Sequence, residues 1–210
     1  MITVIGNLKG GAGKSTVTFN LAVWLQSQQK TVQCYDFDPQ ATLLDVGEVR
    51  DEQQFEPAIK INSRFQKDKV NDVDEILIDV GTGSMSNLKR AITLADRILI
   101  PVAPSQADVW STQRFLYLIS GLIKNEKPPE IIAFINRADT HQKVKESDET
   151  EEALRTLPGI HVLKPRLCQR TAYRRSFSEG LAVFELSKSS KAAKEFIEFA
   201  QLFYYGEPQE

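Results

Sequence analysis

Short apolar runs rich in β-branched residues occupy positions 2–7, 31–38, 75–80, 97–102, 130–136 and 161–166. Between them lie longer segments whose apolar residues recur at helical spacing, at 13–29, 87–95, 108–124, 144–156, 171–179 and 189–205. The short runs are continuously apolar rather than alternating, which predicts strands buried on both faces. Strands alternating with helices in this way predict an α/β fold, a mostly parallel twisted sheet with helices on both faces. Residues 43–71 fit the pattern least. There 58–61 reads as a short strand and the charged stretch 64–72 as a short helix or a loop. No internal repeat and no Gly/Ser-rich linker interrupts the chain, so residues 1–210 are read as one domain.

Composition narrows this picture only a little. With 41% hydrophobic and 26% charged residues the chain has a globular composition, and 26 basic against 28 acidic residues give a net charge of -2. A coat of positive charge is excluded, so contact with a polyanion has to come from a local patch. Cys34 and Cys168 are the only thiols, too few for a disulfide framework or a Cys-rich metal site. No apolar run approaches the ~18 residues of a membrane span. Met1 leads straight into the first strand, from which a cytoplasmic protein without a leader or a DNA-reading module ahead of the sheet is expected.

Chemistry concentrates where the first strand meets the first helix, in Leu8-Lys9-Gly10-Gly11-Ala12-Gly13-Lys14-Ser15-Thr16. Three glycines let successive N–H groups converge on phosphate oxygens at a helix N-terminus. Lys14 can then reach the β- and γ-phosphates of a nucleotide, and the Ser15 hydroxyl is placed to coordinate Mg²⁺. A plain Gly-rich strand-to-helix turn is the bland alternative. A second lysine, Lys9, stands five residues before Lys14, either as a solvated charge or as a cation for phosphate. Further on, Asp36 and Asp38 in Tyr35-Asp36-Phe37-Asp38-Pro39-Gln40 share a face at the carboxyl end of a strand, where ligands collect in open parallel sheets. Asp-Pro is also a common turn opener. The apolar strand Glu75-Ile76-Leu77-Ile78-Asp79 ends in a carboxylate suited to Mg²⁺, directly or through water.

The Lys-Gly-Gly-Ala-Gly-Lys-Ser-Thr string resembles the deviant Walker A motif of the ParA/MinD family of dimerising ATPases. In outline the chain is similar to the small, ParF-like partition ATPases of that family. The resemblance implies that residues 9–16 bind ATP, that Lys9 reaches across to the nucleotide of a second copy, and that Asp38 orients the attacking water while Asp36 helps organise the metal shell. It also implies adenine recognition by Asn136, backbone closure over the base at Pro165 and a dimer interface around 101–105. Where the family often shows an Asp-x-Pro-Pro-like string, this chain has Asp79-Val80-Gly81-Thr82-Gly83-Ser84, which suits a mobile phosphate-sensing loop.

Lys164, Arg166, Arg170, Arg174 and Arg175 fall in a segment without a single acidic residue. Such a stripe is either a solvated face with local salt bridges or a contact for DNA phosphates. The resemblance favours nonspecific DNA binding through Arg166, Arg170, Arg174 and Arg175, with the acidic run 146–152 facing away from it. The helix at 189–205 carries Glu195 and Glu198, and Glu207 and Glu210 follow, so it is expected to pack on the sheet rather than enter an anionic bilayer.

The function implied is an ATP·Mg²⁺-dependent homodimer that binds DNA in a bacterial nucleoid, with no membrane contact. A separate ParB-like or centromere-binding adaptor would stimulate hydrolysis, and the cargo would be most often a plasmid. The rivals are a MinD-like or carboxysome-positioning ATPase and a metabolic P-loop kinase or synthetase.

Overall fold

A computed structural model describes residues 1–65, 73–123, 128–141 and 145–206. Residues 66–72 of the charged stretch at 64–72, the helix ends expected at Lys124 and Val144, and the acidic Glu207 and Glu210 lie outside the described residues. The elements are β1 (Ile2–Gly6), α1 (Lys14–Ser27), β2 (Val32–Asp36), α2 (Thr42–Glu52), β3 (Ile61–Asn62), β4 (Glu75–Val80), α3 (Met85–Leu94), β5 (Arg97–Val102), α4 (Gln106–Leu122), β6 (Glu130–Ala138), α5 (Glu146–Arg155), β7 (His161–Val162), β8 (Leu167–Cys168), α6 (Thr171–Ser178), α7 (Val183–Leu186) and α8 (Lys191–Tyr205).

The sheet runs in the order β3-β2-β4-β1-β5-β6-β7, with β8 paired to the end of β6, and every pairing is parallel. Alternate residues of each buried strand feed two apolar layers. Ile5, Leu77 and Leu99 pack with Phe19 and Trp24 of α1 and with Phe196, Phe199 and Phe203 of α8. Val4, Ile78, Ile98 and Ile100 pack with Leu88 of α3, Phe115 and Ile119 of α4 and Leu154 of α5. The doubly covered parallel sheet expected from the continuous apolar runs is therefore observed. So is the packing of α8 on the sheet: its phenylalanines are buried and unavailable to a lipid surface. Among the described residues no helix is long and apolar enough to cross a membrane.

Three elements depart from the sequence expectation. Residues 42–52 form α2, where no helix was expected. Of the strand expected at 161–166 only β7 forms, at His161–Val162, and a further short strand, β8, follows at Leu167–Cys168 beyond Pro165, which has no N–H to give a ladder. A short helix, α7, precedes α8.

The helices after β1 and β2 lie on one face and those after β4 and β5 on the other. The chain thus changes sides at the centre of the sheet, and the crevice beyond the carboxyl ends of β1, β2 and β4 is where such a sheet takes a ligand.

Candidate functional site

The loop from β1 to α1 is shaped by two glycines in the left-handed region, Gly11 (φ 74°) and Gly13 (φ 87°). Gly13 is also the N-cap of α1, so no side chain covers the first N–H groups of that helix. They and the helix dipole are left to an anion. Space matters as well as backbone freedom at Gly13, since a Cβ there would stand 2.5 Å from the Asn136 amide nitrogen.

Lys14 opens α1 and is buried, with its ammonium donating to the Lys9 carbonyl at 3.3 Å. Burial lowers its pKa, while the nearby Asp79 and Asp38 carboxylates push the other way. Asp79 is the penultimate residue of β4 and stands in register with Asp36 on β2. It is 1% exposed, and among the described residues no hydrogen bond of ordinary geometry reaches either of its oxygens. Burial pushes its pKa up to about 7; Asp36 and Asp38 act in the same direction, and the adjacent Ser15 hydroxyl and Lys14 ammonium oppose them. A buried carboxylate without a partner is costly unless a cation supplies one. Asp79 with the Ser15 hydroxyl offers hard oxygen donors beside a phosphate cradle, a set that fits Mg²⁺.

Asp36 proves to have another duty. Its Oδ1 accepts from Asp38 N–H (2.9 Å) and its Oδ2 from the N–H groups of Leu43 (2.9 Å) and Leu44 (3.1 Å). Oδ2 thus caps α2, whose own N-cap residue, Ala41, has no side-chain acceptor, while Oδ1 holds the backbone at Asp38. Asp36 thereby fixes the segment bearing Asp38, a structural duty beside the metal-shell role that the resemblance implies for it. Asp38 lies just past the strand end, its Oδ1 accepting from Gln40 N–H at 3.0 Å.

Lys9 pairs with the buried Asp108 of the same chain, near the start of α4. Asp108 is held by the Ser105 hydroxyl, which in turn accepts from the Asp108 N–H at 3.1 Å. The loop is tied to the same region through Asn7, which accepts from Lys9 N–H (3.1 Å) and donates to the Pro101 carbonyl (2.8 Å). Sequence reasoning missed Asp108, although the Ser105-x-x-Asp108 spacing of a capped helix start was in plain view.

A cleft of about 350 Å³ opens beside the loop, lined among others by Gly13, Thr16, Asn136, Cys168, Thr171 and Tyr173. Asn136 braces the loop by donating to the Ala12 carbonyl at 2.6 Å. β8 pairs with the end of β6 at Asn136, and this pairing carries residues 167–171 to the cleft. Pro165 is not among the cleft's lining residues; it lines a separate hollow with Leu202 and Gly206. The segment just after it, Leu167 to Thr171, does line the cleft.

The basic segment is largely compensated. Arg166 meets Asp148 (2.6 Å) and Glu151 (2.6 Å), Arg170 meets Glu195 (2.5 Å), and Arg175 meets Glu179 (2.9 Å). The acidic run, expected to face away, supplies the partners of Arg166. Arg174 and Arg175 are exposed on α6, the side chain of Arg175 by 71%. On the same side of the molecule the buried Arg50 of α2 donates to Glu185 through two nitrogens (2.9 Å each) and to the Gly180 carbonyl (2.9 Å).

The CobQ/CobB/MinD/ParA nucleotide binding domain matches residues 3–183. The "Maintenance of carboxysome distribution protein A" of Halothiobacillus neapolitanus is 27% identical over 209 residues, covering 92% of this chain and 91% of that protein. "Protein ParA" of Rhizobium radiobacter is 27% identical over 212 residues, covering 96% of this chain and 93% of that one. A putative plasmid partition protein from Borrelia burgdorferi, bound to AMPPNP, shares the fold with a TM-score of 0.75 at 19% identity, covering 96% of this chain and 97% of its own.

Proposed function

The chain belongs to the CobQ/CobB/MinD/ParA nucleotide-binding family, and from that premise we propose that it is a single-domain ATPase that binds ATP with Mg²⁺, closes into a homodimer and hydrolyses ATP under the control of a partner protein. The observation that carries this reading is the unpartnered, buried Asp79 carboxylate between Lys14 and Ser15, at an uncovered helix N-terminus. A site so arranged is unfavourable by itself and becomes satisfied when a triphosphate and its cation arrive together.

In this reading the N–H groups of residues 10–16 and the Lys14 ammonium hold the β- and γ-phosphates, and the base enters the cleft beside Asn136. Asp79 and Ser15 would hold Mg²⁺, which supplies charge neutralisation at the phosphate oxygens. Asp38 accepts a hydrogen bond from the attacking water and orients it. Phosphoryl transfer needs positioning and neutralised charge more than covalent chemistry, so turnover without a partner is slow. Lys9 leaves Asp108 and adds its charge to the nucleotide of the second copy. DNA contact falls chiefly to the exposed Arg174 and Arg175, because Arg166 and Arg170 are more enclosed by their carboxylates.

The cargo proposed is a plasmid or another DNA element, brought by a centromere-binding adaptor. Equal identity to the carboxysome-distribution relative supports a second reading, a protein-cluster cargo. Sizing by light scattering tests the core of the proposal: a dimer is expected with a nonhydrolysable ATP analogue and Mg²⁺, a monomer without nucleotide, and a monomer for Lys9→Ala under both conditions. A nucleotide-saturated wild-type protein that stays monomeric would favour a metabolic P-loop enzyme instead.

A further inference from the structure

We propose that Gly81 is a positioning residue for Asp38, because its missing side chain creates the recess in which the Asp38 carboxylate rests. The inference rests on the catalytic part assigned to Asp38 above. A Cβ added at Gly81 would overlap that carboxylate: its three nearest heavy atoms are Asp38 Oδ2, Cγ and Oδ1, and even the last lies only 2.7 Å away. Real Cβ atoms essentially never come within 3.0 Å of another such atom.

The carboxylate cannot escape by carrying its backbone along. Phe37 N–H donates to the Asp79 carbonyl (2.8 Å), the Asn87 side chain donates to the Phe37 carbonyl (2.9 Å), and Ala41 N–H donates to the Asp38 carbonyl (2.9 Å). Asp36 Oδ1 also accepts from the Asp38 N–H, while the Gln40 N–H donates to the Asp38 carboxylate itself. What yields to a methyl group at 81 is the χ1 of Asp38, and with it the distance from the carboxylate to Lys14 and Asp79, both of which feel its charge.

Gly83 supplies the contrast within the same loop. A Cβ there meets Pro39 Cδ at 3.4 Å, Pro39 Cγ at 3.5 Å and Asp38 Oδ1 at 3.7 Å, ordinary van der Waals contact. Neither glycine has a left-handed φ, so alanine carries little backbone strain at either position. The two substitutions therefore differ chiefly in whether they displace Asp38. The loop expected to sense phosphate by mobility acts, at Gly81, by leaving room.

The experiment is a double-substitution cycle on the full chain, read by thermal unfolding without nucleotide and by steady-state ATP turnover. Gly81→Ala is expected to lower kcat on the order of 100-fold, the scale of a displaced reacting group, with KM for ATP little changed. It is expected to lower Tm by about 2–4 °C in the wild-type background and to leave Tm unchanged in an Asp38→Ala background, where the overlapping atoms are gone. Gly83→Ala is expected to behave as wild type in both assays. An equal loss of Tm in both backgrounds, or a Gly81→Ala protein turning over at the wild-type rate, would overturn the proposal. If the wild-type protein hydrolyses no ATP, the proposed function falls, while the thermal cycle still decides whether Gly81 makes room for Asp38.

Discussion

Replacing Asp79 with asparagine is expected to make the nucleotide-free protein more stable while removing its response to ATP and Mg²⁺. The magnitude follows from linkage. The folded protein holds the Asp79 proton up to about pH 7, against a reference carboxylate value of 3.8. Below the reference value both states are protonated and the group costs nothing. Between the two values the unfolded chain releases the proton and the folded one retains it, so stability falls as pH rises through that window. At 1.36 kcal/mol per unit, roughly three units amount to about 4 kcal/mol above pH 7. Asparagine escapes this cost but leaves a buried amide short of partners, which takes back ~1–3 kcal/mol. A net gain of about 2 kcal/mol remains, or roughly 4–8 °C in Tm for a chain of this size. Thermal unfolding in EDTA at pH 8 and pH 4 measures it directly: the variant should lead at pH 8, lose that lead at pH 4, and show no rise in Tm when ATP and Mg²⁺ are added. A wild-type protein as stable as Asp79→Asn at pH 8 would refute the reasoning, because the carboxylate would then have a partner already.

Asp38→Ala is expected to bind ATP and dimerise normally while hydrolysis falls ~10²–10⁴-fold, the usual share of a proton-accepting group; calorimetry and phosphate release separate the two, and normal turnover would remove Asp38 from its assigned role. Asp108→Asn weakens the hold on Lys9, so the ATP-dependent dimer should form at lower protein concentration in sedimentation experiments. A weaker dimer would mean that Asp108 presents Lys9 to the second copy rather than restraining it. Arg174→Ala with Arg175→Ala should reduce retention on DNA and flatten its log-log salt dependence by about 1–2; because Arg174 also lines the cleft beside Asn136, unaltered ATP affinity is expected only of Arg175→Ala alone. Unchanged retention would make the α6 arginines plain solvated surface.

The central strands and the phosphate loop were legible in the sequence because their signals are local: continuous apolar runs, and glycines with Lys14 and Ser15 at a fixed spacing. α2 was not, and the reason is physical. Its start signal is missing at Ala41 because the cap comes from Asp36, seven residues before Leu43. Its middle holds Gly47, a poor helix former retained because a Cβ there would strike Ile61 Cδ1. Its buried face includes Arg50, a charge where an apolar residue would complete the pattern. In the basic segment the sequence showed five cations and no acid; the compensating Asp148, Glu151 and Glu195 come from elements distant in the chain, where no local reading finds them. Asp36 and Asp38 were placed at the right strand end, but the alternation that grouped them stops at Asp36, where β2 ends.

α2 is pinned at both extremities. Asp36, at the phosphate end, grips its first turn, and Arg50, near its last, is clamped to Glu185 and the Gly180 carbonyl immediately beyond α6. Eleven residues of helix make a rod of about 16 Å that hardly bends. The strand end that bears Asp36 and the arginine-bearing shoulder are consequently bolted to one girder, so a displacement of either terminus is expected to carry the other with it.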